Sequence, residues 1–138
     1  MDAQIAQIAA EISDRLQGTV PLGHNVRIDI DALSRQLPAG WSPAFAIDTL
    51  LLAKRVLPGQ PSYSLEKLQA HLGLGVEGSS ATRHRAGADV IAAFDLFCAL
   101  VSRLGSEPTL RELFQLAGIG YSTRPPEDHP AKQGSLFG

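Results

Sequence analysis

Cysteine is nearly absent from this 138-residue chain: Cys98 stands alone, which excludes an internal disulfide framework and a cysteine-rich zinc site. A lone cysteine suits a reducing compartment, and the expected location is the cytoplasm. Long hydrophobic runs are missing as well. No apolar stretch approaches the ~18 residues of a membrane span. The opening Met1-Asp2-Ala3-Gln4 has neither the basic region nor the apolar block of a signal peptide, so no membrane partner is expected. Neither sign of charge is in real excess, since 12 Lys+Arg against 14 Asp+Glu leaves −2. A bulk polycation is thereby excluded, and any nucleic-acid contact must be local. There is no Walker-type phosphate loop. Gly73-x-Gly75-x-x-Gly78 follows a helical pattern rather than a strand, which fails the context of a dinucleotide fingerprint. What remains is an ordinary globular composition, 44% hydrophobic and 19% charged. One domain that buries roughly two-thirds of its unfolded surface is the default at this length.

Ile5, Ile8, Ile12 and Leu16 mark an amphipathic helix that breaks at Gly18. Thr19 to Gly23 reads as a brief buried strand, with Pro21 arguing for a sheet edge or the strand's end. Val26, Ile30, Leu33 and Leu37 restart the helical spacing, which Pro38 and Gly40 terminate. Ala44 to Asp48 suggests a second short strand, followed by a helix from Thr49 to Leu57 and the turn Pro58-Gly59-Gln60-Pro61. Ser64 caps a helix carrying Leu65, Leu68 and Leu72, and Gly73 closes it. Leu74 to Arg83 reads as a loop. The longest predicted helix places Val90, Phe94, Phe97, Val101 and Leu104 on one face and stops at Gly105. Thr109-Leu110-Arg111-Glu112 opens a last helix as a capping box, with Leu113, Phe114 and Ala117 inward and Gly118 at its end. From Ser122 to Ser135 the chain is rich in proline, charge and small residues, so residues 122–138 are expected to form a flexible tail after a domain spanning 1–121. No internal repeat is present.

Two segments carry side chains suited to chemistry: His24-Asn25-Val26-Arg27-Ile28-Asp29 and His84-Arg85-Ala86-Gly87-Ala88-Asp89. Taken singly, each has a plain structural reading. Asp29 suits a solvated helix face, His84 a surface histidine, and Asp89 a favourable partner for a helix N-terminus. Five residues on an α-helix turn about 500°, so His84 and Asp89 converge only if His84 precedes the helix. Cys98 sits among Phe94, Phe97 and Val101, where a buried structural thiol is expected. His71 and His129 have no partners at metal-ligand spacing.

Taken together, "GHNVRIDIDAL", "IDTLLLAKRVLPGQPSYSLEKLQAHLGL" and "HRAGADVIAAFDLF" resemble, in order and spacing, the C-terminal part of the DEDDh-type 3′–5′ exonucleases. That family includes bacterial proofreading subunits and RNase T-like enzymes. The resemblance implies an α/β, ribonuclease H-like exonuclease fold, N-terminally incomplete and mostly helical. In that family four carboxylates hold two divalent ions, Mg²⁺ or Mn²⁺, which activate water and stabilise charge on the scissile phosphate. By position Asp29 matches the second-motif aspartate, Asp89 the third-motif aspartate, and His84 the general base. His24 and Asn25 match residues that shape the second motif. Asn25, Arg83 and Arg85 are the candidate contacts to nucleic acid at DNA 3′ ends. The first motif, an Asp-x-Glu strand, has no counterpart in these 138 residues, and Glu11, Asp14 and Asp2 are poor substitutes. Two of the four carboxylates are therefore missing; one reading makes the 138 residues a piece of a longer enzyme whose missing strands lie on another chain, and a polymerase subunit or such a chain is the candidate partner.

The tail resembles a second known element. Gln133-Gly134-Ser135-Leu136-Phe137 is similar to the peptide with which bacterial polymerases and repair proteins dock on the sliding clamp. Leu136 and Phe137 would fill an apolar pocket there, and Gln133 and Ser135 would contribute polar contacts. The leading expectation is thus a metal-dependent 3′–5′ exonuclease of replication or repair, incomplete as this chain. The alternative is a non-catalytic, exonuclease-like remnant that binds a partner or nucleic acid and is tethered to the clamp.

Overall fold

The computed structural model describes residues 3–37, 41–74 and 86–121. The chain runs α1 (Ala3–Leu16), β1 (Leu22–Gly23), α2 (Val26–Gln36), β2 (Phe45–Asp48), α3 (Thr49–Val56), α4 (Leu65–Leu72), α5 (Ala86–Ser102), α6 (Leu110–Ala117) and β3 (Gly118–Gly120). It is a mixed α/β arrangement in which a small sheet is outweighed by helices. The sheet order is β1-β2-β3. β1 and β2 pair in parallel, with Leu22 opposite Ile47 and Gly23 opposite Asp48. β2 and β3 pair antiparallel, with Ala46 opposite Ile119.

Alternation along β2 explains why helices cover both faces of this sheet. Phe45 and Ile47 point into a cluster with Leu52, Leu68, Leu96, Leu100 and Leu113, drawn from α3 to α6. Ala46 points the opposite way and joins Val26, Ile30, Leu37, Trp41 and Ile119 under α2, with Ala9 and Leu16 of α1 packed against them. All four residues of β2 are buried, as expected of a strand covered on both sides.

Local signals set several boundaries as the sequence predicts. The Ser64 hydroxyl accepts from the Lys67 amide at 3.2 Å, and Gly73 ends α4 in the left-handed conformation, φ 68°. The Thr109 hydroxyl accepts from the Glu112 amide at 3.1 Å at the start of α6. Three expectations need correction. The first strand is only Leu22–Gly23, because Pro21 has no amide hydrogen and contributes only its carbonyl, which accepts from Ile47 at 2.9 Å. Gly118 does more than end α6, since it opens β3, which closes the second edge of β2. On α5, Phe97 and Val101 are buried, yet Val90 and Phe94 of the same predicted face are 69% and 48% exposed.

The large hydrophobics left exposed among the described residues lie on α1 (Ile5, Ile8, Ile12), α2 (Ile28) and α5 (Val90, Ile91, Phe94). None lies on α3, α4 or α6. On α1 the apolar stripe is only half covered. Ala9 and Leu16 touch the second cluster while Ile5 and Ile8 are 57% and 55% exposed. β1 is the sheet edge on the α2 and α5 side, and no described residue pairs with its outer backbone.

The α6–β3 junction gives a direct stability test. A methyl group at Gly118 would overlap both the carbonyl oxygen and the ring of Phe114. Phe114 cannot give way freely, because its ring stacks edge-on against Phe45 at 5.5 Å between centroids. Gly118→Ala should therefore cost about 2–3 kcal/mol through overpacking, or on the order of 10 °C in thermal midpoint. Circular dichroism melts would measure it, and an unchanged midpoint would show that the junction is looser than its geometry.

Candidate functional site

Ligands of parallel sheets bind beyond the carboxyl ends of the strands, and here that end of β1 opens into a cleft. The cleft has a volume of about 720 Å³. Its polar side carries His24, Asp29 and Asp89, and Leu22, Val90 and Phe94 form an apolar wall. Leu65, Glu66 and Gln69 of α4 complete the far side.

Asp29 enters this cleft because it sits in the first turn of α2, directly after β1. Gly23 leaves room for it: a Cβ at that position would stand 3.6 Å from the Asp29 Oδ2 and 3.1 Å from Val26 Cγ2. Asp89 comes from the first turn of α5, 60 positions later in the chain. Asp29 and Asp89 thus both line one cleft, each from the first turn of a helix. Partial burial raises the pKa of Asp29, and the nearby charge of Asp48 raises it further.

His24 is held by both ring nitrogens. Its Nε2 lies 2.7 Å from the Tyr63 carbonyl oxygen, which can only accept, so Nε2 carries a proton. Its Nδ1 lies 2.8 Å from the Thr49 hydroxyl oxygen, which also lies 3.3 Å from the Gly23 carbonyl oxygen. The ring therefore ties the end of β1 to α3 and to the segment before α4. Neither nitrogen is left for a substrate or a metal. Asn25 has an exposed side chain, and its backbone is left-handed, φ 59°. Asp48, by contrast, is 3% exposed. Its Oδ1 accepts from the Asn25 amide at 2.8 Å and the Leu50 amide at 2.9 Å. Sequence reading ended a strand at Asp48 without seeing this double acceptor. An Asp immediately before a helix is the available signal for the cap, but not for the second bond. The apolar wall was missed too, because periodicity assigns Phe94 to a face without saying whether anything covers it.

His84, Arg83 and Arg85 lie outside the described residues, as do Gln133, Ser135, Leu136 and Phe137. Among the described residues no group of three or more His, Cys, Asp or Glu is placed to hold a metal ion. Asp29 and Asp89 are hard oxygen donors, which fit Mg²⁺ or Mn²⁺ in kind. In number they are short of a full ligand set. Cys98 is half-buried rather than buried, and burial together with the charge of Asp95 raises the pKa of its thiol. That keeps it protonated and unreactive. Among the described residues no helix is long and apolar enough to cross a membrane.

Asp29 and Asp89 thus both line the cleft at the end of β1. The chain is similar to bacterial proteins named as exonucleases. It is 28% identical over 116 residues to the 3′-5′ exonuclease DinG of Staphylococcus saprophyticus, covering 80% of this chain and 12% of that protein. The DinG of Staphylococcus aureus strain USA300 matches with the same figures. The DNA polymerase III subunit epsilon of Treponema pallidum is 25% identical over 127 residues, covering 81% of this chain and 57% of that protein. The chain thus spans a little over half of the epsilon subunit and about an eighth of DinG. No protein-family profile matches the chain, and no solved structure matches it.

The charge on Asp29 also yields a stability prediction. Its folded pKa is raised, so the fold disfavours its ionised form, and its contribution to stability falls as pH rises above the ordinary value of 3.8. Without divalent cations, Asp29→Asn should melt at a slightly higher temperature than the parent at neutral pH. The gap should close in acid. Thermal unfolding in EDTA across pH tests this, and a variant less stable at neutral pH would show that Asp29 is held by attraction rather than strained by repulsion.

Proposed function

We propose that this chain is the C-terminal portion of a ribonuclease H-like, metal-dependent 3′–5′ exonuclease acting on DNA ends in replication or repair. The observation that carries this reading is that Asp29 and Asp89 line the same cleft at the carboxyl end of β1. The relatives named as a polymerase subunit and as 3′-5′ exonucleases support it. Asp29 and Asp89 would hold divalent cation, Mg²⁺ or Mn²⁺, which when bound would lower the pKa of the attacking water and offset charge on the scissile phosphate.

The chain's own residues do the rest. Asp29 and Asp89 would fix where the cation sits, and through it would draw the phosphate into the cleft. His84, two residues before α5 begins, accepts the proton of the attacking water as general base. Arg83 and Arg85 beside it, with Asn25, contact the substrate backbone. Val90 and Phe94 give the cleft an apolar lining. His24 holds the strand end under Asp29.

Two carboxylates cannot neutralise the roughly four positive charges of two close dications, so the site as it stands is expected to be feeble. Among the described residues the outer edge of β1 has no paired strand, and Ile28 on α2 and Val90, Ile91 and Phe94 on α5 are exposed, which supports a place for further strands. An Asp-x-Glu strand from another segment or chain, such as a polymerase subunit, would supply both the missing edge and the missing ligands. Through residues 133–137 the assembly would be tethered to the sliding clamp, and the reading places the protein in the cytoplasm. The test is digestion of end-labelled single-stranded DNA with Mg²⁺ or Mn²⁺, with and without EDTA. Strong release of 3′ nucleotides is expected only when the Asp-x-Glu segment is added. The alternative, a non-catalytic remnant that binds a partner or nucleic acid, predicts none under any condition. The short ligand set is what favours that second reading.

A further inference from the structure

We infer that Asp48 is a positioning residue for Asp29: its buried carboxylate holds Asn25 in the left-handed conformation and so sets where α2 begins. The inference deepens the cation-site reading of Asp29 and rests on it. Capping α3 needs only one bond, from the Leu50 amide to the Asp48 Oδ1 at 2.9 Å. A serine or asparagine could supply that bond equally well. The same oxygen also accepts from the Asn25 amide at 2.8 Å, across the sheet and 23 positions earlier in the chain. Capping α3 does not require this second bond.

Asn25 is the non-glycine residue with positive φ among the described residues, and its side chain makes no cap bond to α2. Asparagine tolerates left-handed backbone better than other residues with a Cβ, but the conformation still costs energy, and a contact from outside the residue helps to hold it. The Asp48 carboxylate is the group in place to do so, since Gly23 and Asp48 are paired residues at the strand ends. That single left-handed residue turns the chain from β1 into α2. Asp29 follows within the first turn, folded back over Gly23, where a Cβ would stand 3.6 Å from its Oδ2. A change in where α2 starts would therefore swing Asp29 away from the cleft it shares with Asp89.

Three variants of the full chain separate positioning from capping. Asp48→Ser keeps a cap oxygen for Leu50 but is too short to reach Asn25. Asp48→Asn keeps an oxygen for both amides. Asn25→Ala removes the side chain and leaves the amide bond to Asp48. Orientation of α2 is read from amide residual dipolar couplings, and cation affinity from Mn²⁺-induced line broadening near Asp29 and Asp89. Asp48→Ser should leave the α3 couplings unchanged, shift those of the first turn of α2, and weaken Mn²⁺ broadening at Asp29 by roughly tenfold or more. Broadening at Asp89 should fall with it, because the two carboxylates would share the ion. Asp48→Asn should restore both α2 and the broadening. Parent-like α2 couplings in Asp48→Ser would overturn the inference, as would shifted couplings in Asp48→Asn. If Asp48→Ser does not fold, Asn25→Ala decides: parent-like α2 couplings support the inference and altered ones overturn it. Absence of Mn²⁺ broadening at Asp29 in the parent would sink the cation reading alone, because the couplings still decide the role of Asp48.

Discussion

Supplied with an Asp-x-Glu strand, the chain should release 3′ nucleotides in a metal-dependent way, and replacing His84 by alanine should remove at least about a hundredfold of that rate, the usual worth of a positioned general base. Asp29→Asn and Asp89→Asn should each cost no less. The reason is charge. Two close dications repel each other strongly, and every carboxylate lost leaves positive charge uncompensated in a small volume. Asn keeps the shape of Asp and one oxygen, so the loss would report the charge and not the packing. In-line attack also needs the water and the phosphate held in one geometry, and losing a ligand loosens both. Thermal melts run in parallel separate this from unfolding. Metal-free Asp29→Asn should be at least as stable as the parent, given the raised pKa of Asp29. Robust digestion by the 138 residues alone would show that other carboxylates complete the site, with Asp31 and Asp95 the next candidates.

The second large effect concerns residues 133–137. Changing Leu136 and Phe137 together to alanine should abolish measurable binding to a bacterial sliding clamp, a loss of roughly a hundredfold or more. Truncating a buried apolar anchor commonly costs at least about 2 kcal/mol at such an interface, and two anchors act here. Circular dichroism of parent and double variant, expected to be the same, checks that the fold is unaltered. Calorimetry with purified clamp measures the binding. Equal affinity of parent and double variant would make the likeness of this peptide to clamp-docking peptides accidental.

Caps were the most legible part of the fold. Ser64 with Gly73 and Thr109 with Glu112 are local chemistry, complete within a few residues, and the structure has them where the sequence places them. Elements that depend on distant partners were harder to read. β3 is three residues, Gly118–Gly120, too short for an alternating pattern, and it exists because β2 offers it an edge. The exposure of Val90 and Phe94 was not legible at all. Their spacing matches that of Phe97 and Val101, and only the absence of a covering layer among the described residues distinguishes them. Of the candidate site, Asp29 and Asp89 were identified by resemblance, since no spacing rule connects residues 60 positions apart. The clamp made by Asp48 was hidden for a related reason. Its second bond joins the end of β2 to the start of α2, a contact that exists only once β1 and β2 are paired.

Whether Asp29 and Asp89 hold one cation between them can be measured directly. Crystals of the chain soaked in Mn²⁺, with anomalous differences collected at the manganese edge, would locate the ion. A single peak bonded to carboxylate oxygens of both Asp29 and Asp89 in the cleft beside Leu22 and Phe94 is the expected result. No peak there at millimolar Mn²⁺, or a peak on one aspartate with the other carboxylate turned to solvent, would contradict a shared cation site.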